Sequence, residues 1–533
     1  MFTLAILIGI YSYAIFSLGL LSILNIISVS VVSLLFILIS YFYYFRKRHI
    51  RTPNLKILIK NKVLSLLIFI IISQVIVNLV GVLGPELGFD ALWYHLTLPK
   101  LYVLNHSIFH IPGGLMYYSD MPKLTEMFYT AGLFFGDERI PKLIHFGFGI
   151  LTCIAIYRIS GKFMNNFLSV LSVVVFYSSL VVGWQSTSAY VDLSRTFFEI
   201  MALWGFLNFI ETKDRKWFIK SALMIGLAIS TKLLAIGSLF IFTIFICYFL
   251  IKFKRKATNI IINVLAYWSI ELLIPFPWFI FSFIHTGNPV YPFFSSVYPV
   301  GLNGNIFNPI NFSKEMWIFF TNLADPISPI YLIFAPLVFI YFKKFSTSAK
   351  IISAYCLMAI LVWYITPRTG GGRFILPYLP TFSIISAIIL SKIKSRLIYN
   401  FLIILILLIS VSSIGYRGLA NAKYIPVVFG QQTRSEFLSN NLNFSFGDFY
   451  DTNGYFKNNI KKDDTVLLYG FHNLYYVNFP FIDSSWVKRG DQFNYIAVQN
   501  SEIPKRFSDW QLIYRNQKTK VDLYTKRGSK WAY

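Results

Sequence analysis

Between Phe89 and Pro141 an otherwise apolar chain turns polar, and the stretch opens on Gly88-Phe89-Asp90-Ala91-Leu92-Trp93-Tyr94-His95. Asp90, Asp120, Glu126, Asp137 and Glu138 all lie within it, and the later corner Ser188-Ala189-Tyr190-Val191-Asp192-Leu193 adds another carboxylate. Two carboxylates at one membrane face can share a site. One accepts a proton from an attacking hydroxyl; the other orients the acceptor, holds a cation or stabilises positive charge developing at a sugar carbon. Asp90 has a second reading as an exposed helix cap, because Asp before Ala-Leu-Trp caps well. Tyr94, His95 and Glu126 stand near enough in sequence to be candidate substrate contacts.

Two cations sharpen the pattern. Lys232, in Ser230-Thr231-Lys232, falls where two apolar runs abut, and Arg373 follows the flexible run Thr369-Gly370-Gly371-Gly372. Arginine grips phosphate through two parallel hydrogen bonds, so Arg373, with Arg368 nearby, is a candidate phosphate ligand. The competing reading is snorkelling of long basic side chains toward lipid headgroups. Other charges lie inside apolar runs, where charge is expensive and marks a functional cavity or a paired structural lock. Arg195 and Glu199, four apart, read as such a lock, whereas Glu271 fits either role. His106 and His110 have an i, i+4 spacing that can bind metal, but no third ligand is evident and they read as interfacial side chains.

These residues need a membrane scaffold to position them. Of 533 residues, 56% are hydrophobic and 13% charged, and the mean hydropathy is +0.60. No soluble fold hides that much apolar surface. The net charge of +25 is spread between apolar runs instead of forming one patch, which argues against nucleic acid. Cys153, Cys247 and Cys356 sit inside apolar runs without metal-ligand spacing and imply no disulfide. At roughly 20 residues per span, about thirteen runs qualify, near 4–24, 27–45, 63–83, 141–158, 165–184, 191–210, 217–231, 233–252, 258–282, 327–343, 349–367, 374–392 and 396–415. The expectation is an all-α polytopic membrane protein of about thirteen transmembrane helices.

Every second loop is basic, from Arg46, Lys47, Arg48, Arg51, Lys56, Lys60 and Lys62 through Arg158 and Lys162 to Lys392, Lys394 and Arg396. That asymmetry puts the N-terminus and the basic loops in the cytoplasm. Segments 84–140, 185–191, 283–326 and 367–373 then lie outside, with everything after about 416. The polar tail carries β-prone runs at Thr465–Tyr469, Tyr495–Val498 and Val521–Tyr524, which predict a small exterior α/β domain serving as a lid or docking surface. The expected organisation is two N-terminal helices and a basic loop over 1–62, a core over 63–415 with its first exterior loop at 84–140, and the soluble domain over 416–533.

Gly88-Phe89-Asp90-Ala91-Leu92-Trp93-Tyr94-His95-Leu96, then Leu98-Pro99-Lys100 and Met121-Pro122-Lys123-Leu124-Thr125-Glu126, resembles the first exterior loop of bacterial GT-C glycosyltransferases. The branch in question is that of dolichyl-phosphate-mannose protein mannosyltransferases and the lipid A aminoarabinose transferase. Ala189-Tyr190-Val191-Asp192-Leu193, Gly226-Leu227-Ala228-Ile229-Ser230-Thr231-Lys232, Thr286-Gly287-Asn288-Pro289-Val290-Tyr291-Pro292 and Arg373-Phe374-Ile375-Leu376-Pro377 follow in the same order. The resemblance implies transfer of a sugar from a polyprenyl-phosphate donor on the exterior leaflet to a glycan, lipid or protein acceptor. It makes Asp90 the essential carboxylate and places Asp192 in the same cavity. Asp90-Ala91 departs from the Asp-Glu pair of the mannosyltransferases, which leaves the acceptor and a possible divalent metal open.

The mechanism expected from these parts is a single inverting displacement. Asp90 would deprotonate or align the acceptor, while Arg373 and Lys232 stabilise the departing phosphate. Two other classes compete: a flippase or transporter of lipid-linked saccharide, and a polysaccharide ligase or polymerase using a lipid-diphosphate donor. Transporters tend to show two related halves, and the chain shows no such internal pairing.

Overall fold

The computed structural model describes residues 1–46, 62–297, 308–322, 325–366, 371–443, 448–526 and 530–533. The basic loop expected between the second and third runs, Arg368, and most of segment 367–373 lie outside them. All thirteen apolar runs carry helix. Among the described residues eight helices are long and apolar enough to cross a membrane, or up to nine if one bent pair counts as a single span. The remaining runs are shorter, broken or more polar. Run 165–184 divides into Asn166–Tyr177 and Leu180–Gln185, and Ile330–Tyr341 holds Pro336 within only 12 residues.

The run expected as one span over 258–282 is two helices, Ala257–Leu273 and Phe276–Thr286, bent by 67°. Pro275 stands in the break; it lacks an N–H and its ring crowds the preceding turn, so a straight helix cannot pass. At the centre, helix Asp192–Thr212 is buried around nearly its whole circumference. It packs against Arg139–Ser160 and Arg215–Thr231, where Gly205 brings its backbone close to Ser221. That tight packing holds both ends of Asp192–Thr212 in fixed positions.

Beyond the last long helix, Arg396–Ala422, a five-stranded mixed sheet forms with order β2-β1-β4-β6-β5. Its strands are β1 (Val466–Tyr469), β2 (Phe481–Asp483), β4 (Tyr495–Gln499), β5 (Gln511–Asn516) and β6 (Val521–Thr525); β3 (Gln492–Phe493) pairs with β7 (Trp531–Ala532). Strand β1 runs parallel to β2 and β4, and the β4–β6–β5 ladder is antiparallel. The sheet domain docks on segment 84–140. Lys100 Nζ donates to the carbonyls of Leu474 (3.3 Å), Tyr475 (2.8 Å) and Val477, and Arg434 pairs with Glu138 at 2.6 Å. Tyr476 Oη donates to the Glu86 carbonyl at 2.8 Å.

Candidate active site

Asp90 precedes a wide helical turn, Ala91–His95, closed by Leu96 N–H donating to the Ala91 carbonyl at 2.9 Å. Such i→i+5 turns recur at functional sites because they re-aim side chains. Asp90 makes no side-chain cap bond, so the helix-cap reading is not the one the fold uses. Its carboxylate reaches across the molecule instead. Arg373 Nη2 lies 2.6 Å from Asp90 Oδ2, while Arg373 Nε donates to Asp192 Oδ2 at 3.0 Å. Lys232 Nζ closes the group on Asp192 Oδ1 at 2.6 Å. Residues as much as 283 positions apart, from Asp90 to Arg373, thus form one charge-balanced quartet of two carboxylates and two cations.

Each member is set at the end of an element. Asp192 begins Asp192–Thr212, Lys232 fills the extended break after Arg215–Thr231, and Arg373 sits in the first turn of Gly372–Ile375. Two carboxylates that the sequence reading overlooked hold these ends together. Glu86 accepts from the N–H groups of Leu87 (2.9 Å), Gly88 (2.6 Å) and Ala189 (2.6 Å), tying the Asp90 loop to the Asp192 corner. Asp325 accepts the Arg373 N–H at 2.8 Å and the Asn322 amide at 2.7 Å. His145 fixes the same corner from the other side: Nδ1 bonds the Ser188 carbonyl at 2.8 Å and Nε2 accepts the Leu193 N–H at 2.9 Å. The only signal for Glu86 was its place just before the acid motif, and Asp325 lies in a segment where no motif drew attention.

Tyrosines line the quartet. Tyr94 Oη donates to Asp90 Oδ2 at 3.2 Å, the Asp90 N–H donates to Tyr190 Oη at 3.3 Å, and the Arg373 guanidinium stands 4.4 Å from the Tyr190 ring centre. No hydrogen bond reaches Asp90 Oδ1 among the described residues. Burial by itself pushes the Asp90 carboxyl up, but the Arg373 guanidinium, with His95 and Lys232, more than reverses this and holds it below its ordinary value. Asp325 moves the other way, because burial there outweighs its hydrogen bonds.

His95 and Glu126 pair with each other, not with the quartet: His95 Nδ1 lies 2.7 Å from Glu126 Oε1. Both line a cavity of about 50 Å³ together with Tyr94, Tyr118, Met121, Lys123 and Lys232. Lys123 donates to the carbonyls of Tyr118 (3.1 Å), Ser119 (2.5 Å) and Met121 (2.6 Å), and burial pushes its ammonium down to about 8. Next to Lys232, along the helix that follows it, an apolar groove of about 550 Å³ runs between Leu233, Gly237, Phe240, Ile244, Val362 and Ile365.

The remaining candidates lie elsewhere. Arg195 and Glu199 form the buried lock expected, 3.2 Å apart, with Tyr378, Ser238 and Tyr355 completing the network. Glu271 is fully buried, and among the described residues no hydrogen bond reaches either carboxylate oxygen. His106 and His110 do not converge: His106 turns to the Leu24 carbonyl at 3.0 Å, and His110 bonds Asp120 at 2.9 Å and stacks on His285. Among the described residues no group of three or more His, Cys, Asp or Glu is placed to hold a metal ion.

ArnT from Cupriavidus metallidurans, solved bound to undecaprenyl phosphate, superposes with a TM-score of 0.58 over 86% of this chain and 98% of its own, at 11% identity. This chain has the GT-C fold. Residues 133–281 match the family described as dolichyl-phosphate-mannose-protein mannosyltransferase, so the resemblance read from the exterior motifs is borne out. The archaeal oligosaccharyltransferase AglB from Archaeoglobus fulgidus, solved with an inhibitory peptide and a dolichol-phosphate, is similar at 12% identity over 81% of this chain and 69% of its own, with a TM-score of 0.44. No curated protein matches. Within the GT-C fold Lys232 and Arg373 stand at the starts of two helices long and apolar enough to cross a membrane, Leu233–Lys252 and Gly372–Leu390, beside the apolar groove.

Proposed function

We propose that the protein is a membrane glycosyltransferase that moves a sugar from a polyprenyl-phosphate donor to an acceptor hydroxyl at the exterior face, with inversion. One observation carries this reading: the apolar groove, the two cations and the free oxygen of Asp90 follow one another in space. Leu233 lines both the groove and the polar cavity, and its neighbour Lys232 joins the quartet. That order matches a prenyl tail, a phosphate and a sugar carbon. ArnT was solved with undecaprenyl phosphate, which supports a lipid of this class.

In the reaction the acceptor oxygen attacks the anomeric carbon, its proton passes to Asp90 Oδ1, and the carbon–oxygen bond to phosphate breaks with its electron pair leaving on the phosphate. The phosphate gains a negative charge as it leaves, and Arg373 and Lys232 are placed to stabilise it. Asp192 orients both cations through its two oxygens. Tyr94 and Tyr190 frame the carboxylate and guanidinium. The acceptor class, glycan, lipid or protein, is a matter for the assay.

The test is release of polyprenyl phosphate from a labelled polyprenyl-phosphate sugar by purified protein in lipid nanodiscs. Arg373→Ala is expected to lower turnover about 100-fold or more, and Asp90→Asn to remove transfer while the fold survives. Wild-type transfer by the Asp90→Asn variant would sink the assignment. A flippase would move the lipid and leave the glycosidic bond intact; a ligase or polymerase would respond only to a lipid-diphosphate donor.

A further inference from the structure

The cavity beside the quartet holds atoms that the fold leaves unused. His95 and Glu126 are 3% and 4% exposed, and among the described residues Glu126 Oε2 and His95 Nε2 are both buried without a hydrogen-bond partner. An unsatisfied buried carboxylate oxygen carries its full desolvation penalty, so folds do not retain one idly. Glu126 Oε2, the second oxygen of the carboxylate that holds His95 Nδ1, is a hydrogen-bond acceptor. The one ammonium in the wall other than Lys232 is Lys123, and its protons already serve three carbonyls. What Glu126 adds to the cavity wall is therefore a hydrogen-bond acceptor.

We infer that this cavity receives the donor's sugar, and that the Glu126–His95 pair selects a neutral or amino sugar by accepting hydrogen bonds from its ring substituents, excluding uronic acids. The inference rests on the polyprenyl-phosphate reading and names the sugar class that reading leaves open. Position argues for donor over acceptor: Lys232 and Leu233 both line the cavity, so it continues the path from the tail groove past the phosphate cations. Size agrees as well. A cavity of about 50 Å³ holds roughly four waters, enough for one hydroxylated edge of a sugar ring. A carboxylate on that edge would bring a second negative charge against Glu126 in a buried site, where like charges are costly.

The experiment compares binding of bare undecaprenyl phosphate with undecaprenyl phosphate carrying glucose, galactose, mannose or glucuronate, in nanodiscs, for wild type, Glu126→Gln and Met121→Trp. In wild type at least one neutral sugar is expected to tighten binding about tenfold over the bare lipid, and glucuronate to give no gain. Glu126→Gln should erase that gain with bare-lipid affinity unchanged, and Met121→Trp, which fills the cavity without touching the pair's charge, should do the same. Retention of the sugar preference in both variants overturns the inference, as does a gain from glucuronate. Bare-lipid binding that Arg373→Ala leaves unchanged would count instead against the phosphate assignment, so the two failures are separable.

Discussion

The Asp90–Arg373 contact has a consequence for the order of events in the site. The guanidinium that should hold phosphate is held by Asp90 at 2.6 Å and Asp192 at 3.0 Å. An incoming phosphate must compete with Asp90 for it. Removing that competitor should therefore help the lipid bind: Asp90→Asn is expected to bind undecaprenyl phosphate about tenfold more tightly than wild type while losing transfer. Equal or weaker binding, measured by titration in nanodiscs, contradicts the competition. The same contact predicts a pH effect. Asp90 is lowered while Arg373 pairs with it, so its ionised form and the ion pair it stabilises persist below the usual carboxylate range and are lost as pH falls through the lowered value. Once phosphate draws Arg373 away, the carboxyl rises toward its ordinary value. The acid limb of kcat should accordingly lie at higher pH than that of kcat/KM for the donor, and coincident limbs would show that Arg373 stays on Asp90 throughout.

At the scale of elements, the site depends on helix ends being held to within fractions of an ångström. Gly372 shows how: a Cβ there would overlap the Asp325 backbone carbonyl, and backbone does not yield as a side chain does. Gly372→Ala should push the Gly372–Ile375 turn off Asp325 and carry Arg373 with it. A loss of transfer of about tenfold or more is expected, with far-UV circular dichroism unchanged; full activity would mean that the turn can relocate without cost. This is also where sequence reading reached its limit. Asp90, Asp192, Lys232 and Arg373 were legible because each interrupts or ends an apolar run with a charge of known chemistry. Glu86 and Asp325 act on backbone N–H groups far away in sequence, and no local pattern announces such a bond. The bend at Pro275 and the short strands β2 and β5 were missed for a related reason. Apolar periodicity reports burial, not where a helix turns or where a three-residue strand finds its neighbour.

For the whole molecule, the central helices relate the site to the membrane. Asp192–Thr212 starts in the quartet and ends at Lys213, next to Arg215 and Lys216; Arg215–Thr231 returns from that basic end to Lys232. At 21 and 17 residues and 1.5 Å per residue, the two cover about 32 and 26 Å, close to the thickness of a hydrocarbon core. Quartet and basic loops therefore lie about one bilayer apart. Because positive loops stay in the cytoplasm, the proposed exterior reaction requires the quartet, and the sheet domain docked on segment 84–140 through Lys100 and Arg434, to lie on the opposite side from those loops. Single cysteines at exposed positions on the two sides decide this. Against a background lacking Cys153, Cys247 and Cys356, Glu502→Cys is expected to react with a membrane-impermeant maleimide in intact cells. Arg255→Cys, in the turn after Ile236–Lys252, is expected to react only after permeabilisation. The reverse pattern would place the quartet in the cytosol, where a donor presented on the outer leaflet could not reach it.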